Sequence, residues 1–391
     1  MNILFLVLSY PTEGKNLYSD LAEELKRRGN NVYVVLASNG EGLCKSNFVV
    51  RNNVNVLTIR TLKIQKNNKI LKGIASLLIG YQFKRGIKKF YKSVKFDLLI
   101  YSTPPITLYS AIKYLKEKNK CKTYLLLKDI FPQNAVDLEM MNKNSLIYKY
   151  FRNIEIKLYK ISDYIGCMSS KNREYLISNN EYLNRRNIEV CANSIKINEV
   201  NNYEKKYAAK DKVTLIYGGN LGVPQGINFL MDILKFYKYN KRFYFIIIGS
   251  GTEYFKLKNF IEKKELKNVI LKKFMPQQEF EKYLKAADAG LILLDKRFTI
   301  PNFPSRMLSY MEYGKPIIAA TDKNTDVREC IRAAGCGEWC ESGDLKTFNK
   351  IVNKFYYDRN ALKICGKNSR LCLKNNFNVE KSAAKILKHF K

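Results

Sequence analysis

The feature that most constrains this chain is a rhythm that runs twice. Short apolar runs at residues 2–8, 31–36, 54–59, 97–101, 122–127, 164–168 and 188–191 alternate with stretches of helical periodicity. One such stretch, residues 17–28, carries Leu17, Leu21 and Leu25 on one face. After a polar, charged segment at 201–212 the alternation begins again. Strands are then expected at 213–217, 242–248, 268–271, 290–294 and 316–320, with helices starting at Gln225 and Glu253 and covering 277–287 and 304–313. Strands separated by helices return as βαβ crossovers, so each half reads as a mainly parallel, doubly wound sheet. The expectation is an α/β chain of two Rossmann-like domains facing across a cleft, at 1–200 and 213–375, with 201–212 as linker and a C-terminal helix at 376–391. Ligands of such sheets bind beyond the carboxyl ends of the strands.

Composition narrows the chemistry. A length of 391 residues and a hydrophobic fraction of 46% are enough for two cores. The nine cysteines form no C-x-x-C pair, which argues against a zinc ribbon or a disulfide framework and for reduced thiols in the cytoplasm. His389 is the only histidine, so a histidine base in a central site or a histidine-ligated metal is not expected. The apolar residues 1–8 follow no basic region and read as a buried strand rather than a leader. No run reaches the roughly 20 apolar residues that span a bilayer. The formal charge of +34 creates a field that attracts polyanions: nucleic acid, an anionic membrane or phosphorylated small molecules.

Three motifs carry chemistry. Tyr217-Gly218-Gly219-Asn220 ends a strand and leads to Gln225-Gly226 at a helix start. Ile248-Gly249-Ser250-Gly251 ends a second strand before another helix. Glycines there let a backbone approach a ligand, and free helix amides favour phosphate, although a plain tight turn uses the same residues. Neither motif is the dinucleotide fingerprint or a P-loop. Third, Pro304-Ser305-Arg306 opens a helix that stops at Gly314-Lys315-Pro316, placing an arginine suited to a diphosphate beside a strand's carboxyl end.

The ordered runs GGNLGVPQGI, IIGSGTE, VILKKFMPQQEFEKYLKAADAGLILL, PSRMLSYMEYGKPIIAATD and AAGCGEWCESGD resemble glycosyltransferase family 4. More narrowly, they are similar to a bacterial surface-polysaccharide branch that includes N-acetylfucosamine transferases of O-antigen synthesis. YPTEGKNLYSDLAEELKRRGNNVYVV and LLLKDIFPQNAVDL extend the resemblance into the first half. The resemblance implies the two-domain GT-B fold, a nucleotide-sugar donor (UDP-linked), no cofactor and no metal. It places Gly14 near the donor phosphates, Gly219 and Asn220 at the sugar or its phosphates, and Arg306 on the diphosphate. Gln225, Gly249, Gly251, Pro304 and Ser305 belong to the same expected donor pocket, with Lys296 and Arg297 as helpers. Phe274 and Met275 are expected at the nucleotide base, and Asp129 at the acceptor or the anomeric centre. The family's paired glutamates fall at Pro301 and Ser309, neither acidic, which leaves Ser309 or Glu312 to contact the ribose. Transfer with retention follows from the resemblance, the leaving phosphate serving as base.

Residues 61–95 contain ten basic and no acidic side chains, interleaved with bulky apolar ones. Such a helix suits a membrane surface, with Lys84, Arg85, Lys88, Lys89 and Lys92 on anionic headgroups; a solvated helix packed on the first domain has the same pattern. The membrane reading fits a polyprenyl-diphosphate-linked saccharide acceptor, as the resemblance implies, and a peripheral place on the inner membrane face. A nucleotide-sugar epimerase of the same fold, a catalytically inactive partner subunit and a basic nucleic-acid binder are the competing readings. The last lacks a helix-turn-helix, zinc-finger or RRM signature, so nucleic acid is not an expected partner.

Overall fold

In the computed structural model, which describes residues 1–11, 14–38, 46–62, 69–199 and 212–390, the chain divides into two compact units. Unit 1 is Met1–Lys196 with Val379–Lys391, and unit 2 is Ile197–Asn378. The first boundary falls four residues before the expected one, and the expected 201–212 linker lies almost wholly outside the described residues.

Unit 1 runs β1 (Asn2–Val7), α1 (Leu17–Arg27), β2 (Asn31–Ala37), β3 (Asn47–Arg51), β4 (Val54–Ile59), α2 (Lys69–Phe90), β5 (Leu98–Ser102), a 3-10 turn (Ile106–Leu108) and α3 (Tyr109–Asn119). It continues with β6 (Lys122–Leu127), α4 (Gln133–Asp137), α5 (Leu146–Ile161), β7 (Tyr164–Cys167), α6 (Ser170–Ser178) and β8 (Ile188–Val190). The sheet order is β3-β4-β2-β1-β5-β6-β7-β8, parallel except for β3. Apolar runs such as Ile3 to Val7 and Leu98 to Tyr101 are buried on both faces, as a doubly wound sheet demands. Helix α1 starts where Asn16 Oδ1 accepts from the backbone N–H of Tyr18 and Ser19, both at 2.9 Å, while Ser19 Oγ accepts from Asn16 N–H. This reciprocal cap contributes about 1 kcal/mol. The β1→β2 and β4→β5 crossovers run in opposite directions along the sheet, so right-handed connections put α1 and α2 on opposite faces.

Unit 2 runs β9 (Val213–Asn220), α7 (Ile227–Phe236), β10 (Phe243–Ser250), α8 (Tyr254–Lys263), β11 (Val269–Lys272), α9 (Gln277–Ala286), β12 (Ala289–Leu293) and α10 (Arg306–Glu312). Then come β13 (Ile317–Thr321), α11 (Val327–Ala334), β14 (Gly337–Glu341), α12 (Leu345–Tyr357) and α13 (Arg359–Asn376). Its all-parallel sheet has the order β11-β10-β9-β12-β13-β14. The expected helix at Gln225 begins two residues later, because 223–225 form a 3-10 turn and Gly226 (φ 56°) then turns the chain into α7.

The expected C-terminal helix is α14 (Val379–Leu387), and it belongs to unit 1 rather than to the preceding domain. Val379, Ala383, Ile386 and Leu387 join the core under α1. Burying side chains of this size contributes on the order of 5 kcal/mol in all. Val379 N–H donates to Ile195 O at 3.1 Å, which fixes the point of return. Farther on, His389 stacks on Tyr164 at 3.9 Å with Nε2 3.0 Å from Glu189 Oε1, so the single imidazole closes the edge of this core.

Candidate functional site

In unit 2 the two glycine motifs meet. Strands β9 and β10 pair in parallel with Gly249 opposite Gly219 and Ser250 opposite Asn220. A Cβ at Gly249 would lie 1.8 Å from Gly219 O, so no side chain fits there. Gly219 itself has φ +137°, a conformation that L side chains rarely adopt. One at Gly251 would lie 2.2 Å from Leu221 O. The loop beyond is held by side chains: Tyr217 OH donates to Asn220 O at 2.6 Å, and Asn220 Nδ2 donates to Gln225 Oε1 at 2.8 Å.

Arg306 joins this group from the first position of α10. Its guanidinium lies 4.7 Å from the centroid of the Tyr217 ring. A Cβ on Gly219 would meet the same guanidinium carbon at 3.7 Å. Burial raises the Tyr217 phenol pKa, and the nearby Arg306 charge only partly opposes this, so the phenol stays a neutral donor and the cation rests on its face. Behind it, Tyr310 OH accepts from Gly218 N–H at 3.0 Å. Arg306 Nη1 is buried with no hydrogen-bond partner. An unsatisfied cationic donor of this kind costs about 1–3 kcal/mol or more, a cost that an anion beside Gly219 would remove.

The other expected donor-side residues are distributed unevenly. Pro304 is half-buried and Ser305 exposed just before α10, and Ser305 makes no side-chain cap bond to it. Arg297 is bound to Asp295 in a two-pronged ion pair, Nε to Oδ1 and Nη2 to Oδ2, both at 2.9 Å. Burial pulls the Asp295 carboxyl up, but the hydrogen bonds and charge of Arg297 outweigh it and hold the group below its usual range. Arg297 therefore has its charge balanced locally, whereas Lys296 is exposed. Phe274 stands 77% exposed between β11 and α9, with Met275 half-buried beside it. Ser309 is half-buried on α10. Glu312 is buried and its Oε1 accepts from Asn198 N–H at 3.0 Å, so the carboxylate expected at a ribose is engaged with the chain's entry into unit 2. It also stands six residues beyond Arg306, roughly 9 Å along the helix.

In unit 1, Asp129 follows β6 at the sheet's carboxyl edge. Its Oδ2 accepts from Asn134 Nδ2 at 2.7 Å, and Thr103 Oγ1 donates to its carbonyl at 2.9 Å. Burial raises the carboxyl to about 6, against the hydrogen bonds from Ile130 N–H and Asn134, with the Glu155 charge adding to the rise. The preceding Lys128, absent from the sequence-based set, has different partners. Its Nζ is 2.5 Å from Asn193 Oδ1 and 4.8 Å from the Tyr18 ring centroid, and burial lowers it to about 8. A lysine ending an apolar strand directly before Asp129 was the available signal. Gly14 is exposed with φ 72°, and its carbonyl accepts from Arg51 Nη2; its neighbours 12–13 lie outside the described residues.

The basic stretch resolves into α2. Ile79, Phe83, Ile87 and Tyr91 are buried against unit 1, whereas Leu77, Leu78, Tyr81 and Phe90 are exposed, so packing accounts for one part of the apolar pattern only. Arg85, Lys88, Lys89 and Lys92 are exposed and Lys84 is half-buried. Lys84 and Lys88 place Nζ 4.9 and 4.6 Å from the Tyr114 ring centroid on α3.

Comparison with known proteins agrees with this architecture. A sucrose-phosphate synthase of Thermosynechococcus elongatus superposes with a TM-score of 0.78 at 13% identity, covering 100% of this chain and 98% of that one. Anabaena HepE, solved in complex with UDP and glucose, superposes at 0.69 with 15% identity, covering 100% and 99%. Two Rossmann-like units with a helical C-terminus make this a protein of the GT-B class. Residues 199–371 match the family described as glycosyl transferases group 1, so this part of the chain carries a group 1 glycosyltransferase domain. A probable glycosyltransferase of Pseudomonas aeruginosa, WbjE, is 24% identical over 301 residues, 74% of this chain and 73% of that protein.

Proposed function

We propose that the protein transfers a hexosyl or N-acetylhexosaminyl unit, with retention of configuration, from a UDP-linked sugar to a polyprenyl-diphosphate-linked saccharide in the building of a bacterial surface polysaccharide. The observation that carries the donor half is the unpartnered Arg306 Nη1 beside the side-chain-free backbone at Gly219 and Gly249. A diphosphate there would accept from the guanidinium bidentately and lie against open backbone. That HepE holds UDP and glucose on the same fold supports a uridine nucleotide as the first donor to test.

In the proposed reaction the bond from the anomeric carbon to the diphosphate oxygen breaks, and a bond from the acceptor hydroxyl oxygen forms on the same face. The hydroxyl proton passes to the departing phosphate. Charge that builds on the leaving group is what a fixed cation stabilises best, since Arg306 is already oriented by Tyr217 and needs little rearrangement. Asp129 is the acceptor-side group in this reading. With its carboxyl at about 6, it can accept a hydrogen bond when ionised and donate one when protonated. The exposed lysines of α2 would hold the protein at the inner face of the membrane.

The test is a thermal-shift screen of nucleotide-sugars followed by transfer to a lipid-linked acceptor. A donor at 100 times its Kd raises stability by about 2.7 kcal/mol. The expected hit is a UDP-sugar whose effect disappears in Arg306→Ala. A donor that stabilises both proteins equally would remove Arg306 from the pocket.

A further inference from the structure

Two helices of unit 1 show the same ordered stripe toward solvent. On α2 the stripe is Leu78, Tyr81, Arg85 and Lys88, at spacings of three and four residues, with Leu77 beside it. On α5 it is Leu146, Tyr150, Asn153, Lys157 and Lys160, at the same spacings, with Ile147 beside it. All of these positions are exposed, and within each stripe the apolar residues precede the basic ones. Leu146 is 82% exposed and Ile147 61%, unusual for aliphatic side chains on a protein that buries Leu158 on the same helix. Met140, in the turn before α5, is 62% exposed.

The two stripes share one face and one direction. Helix α3 packs against both α2 and α5, and the 3-10 turn Ile106–Leu108 touches both. Each helix carries the chain between parallel strands, β4 to β5 and β6 to β7, and so runs antiparallel to them. The apolar part of each stripe therefore lies nearer the carboxyl edge of the sheet, where Asp129 follows β6. Charge selects the occupant. From Met140 to Lys160 every exposed charged residue is basic: Lys143, Lys149, Lys157 and Lys160. The acid in that span, Glu155, is buried and receives bonds from Arg152 Nη1 (2.5 Å) and Tyr159 OH (2.6 Å). Glu139, one residue upstream, is the nearest exposed acid in sequence.

We infer that the tip of α5, formed by Met140, Leu146, Ile147 and Tyr150, inserts into the headgroup boundary of an anionic bilayer beside α2, bringing the Asp129 edge of unit 1 down to the membrane. The inference rests on the membrane reading above but names a different element as the anchor. Aliphatic and tyrosine side chains supply buried area, and the lysines behind them supply attraction to headgroups.

Flotation of the full chain with vesicles of phosphatidylcholine, with and without phosphatidylglycerol, tests it. The triple variant Leu146→Ser, Ile147→Ser, Tyr150→Ser is expected to bind the anionic vesicles roughly tenfold more weakly than the parent, with an unchanged melting temperature. Replacing Arg85, Lys88, Lys89 and Lys92 by Gln should instead remove mainly the salt-sensitive part of binding. Tyr150→Trp should add fluorescence that brominated acyl chains quench, over the background of the single native Trp339. Parent that binds equally well with the triple change, or an added indole signal that is not quenched, overturns the α5 anchor while leaving the membrane reading intact. Parent that binds no vesicles overturns both. A concentration-dependent dimer abolished by the triple variant would assign the tip to a second copy of this chain and overturn it as well.

Discussion

The two units keep ionisable groups in opposite ways. In unit 2, the group at the strand ends is a permanent cation resting on a neutral phenol, set against backbone from which side chains are excluded. In unit 1, the corresponding edge holds an acid raised to about 6 and an amine lowered to about 8, adjacent in sequence and held by different partners. Arginine cannot be titrated in any ordinary range, whereas a buried Asp or Lys is easily moved. Unit 2 is thus built to meet a fixed negative charge, and unit 1 to change its charge with its surroundings.

The sharpest break of this contrast is steric. Gly249→Ala forces a methyl to within 1.8 Å of Gly219 O, and should destabilise unit 2 by about 3 kcal/mol or more in urea denaturation. A cost below about 1 kcal/mol would show that the strand ends are loose enough to admit side chains. Next is Arg306→Ala, expected to weaken nucleotide-sugar binding about 100-fold, close to 3 kcal/mol, while sparing the melting temperature of the free protein. Lys at this position should recover only part of the loss, because it cannot offer two parallel donors.

On the unit 1 side the expected effects are smaller and depend on pH. The native Asp129 carboxyl holds its proton up to about 6 against an ordinary value of 3.8, so the native state binds more protons than the unfolded one between those values. Stability then falls as pH rises through that window, and Asp129→Asn should gain about 1–2 kcal/mol over the parent at pH 7, the figure being discounted for partial exposure. The same variant should lower kcat if the carboxyl meets the acceptor, with the parent's pH profile bending near 6. A profile flat from pH 5 to 8 would cut the link between Asp129 and turnover. Smallest is Lys128→Met, which removes a buried amine and should change stability at pH 7 by less than about 1 kcal/mol, the lost Asn193 bond offsetting the relief from burial.

Much of this was legible in the sequence because it is written in short-range signals. Glycines at 219, 249 and 251 and the arginine after Pro304-Ser305 mark strand ends and a helix start, and parallel pairing brings such ends together. What stayed hidden depends on long-range partners. Arg297 and Glu312 read as open charges, yet one is tied to Asp295 and the other to Asn198. Lys128 ends an apolar run, and its partners, Asn193, 65 residues later, and Tyr18, are far from it in sequence. The apolar periodicity of α2 suggested a membrane face, and the structure divides it: Ile79, Phe83, Ile87 and Tyr91 pack into unit 1 while Leu77, Leu78, Tyr81 and Phe90 stay exposed. Strand β3 was missed because its apolar run, Phe48 to Val50, is short and bounded by Asn47 and Arg51, and β14 because Trp339 and Cys340 stand between Glu338 and Glu341 with no alternation.

The return of α14 to unit 1 bears on how the molecule is made. Residues 197–378, the whole of unit 2, lie between the two parts of unit 1 in sequence. As the chain leaves the ribosome, unit 2 has all its residues available before the covering for α1 has been translated. The apolar surface later occupied by Val379, Ala383, Ile386 and Leu387 must therefore wait, open to water or to a chaperone, through the synthesis of the intervening residues. The half of the protein that begins first is finished last.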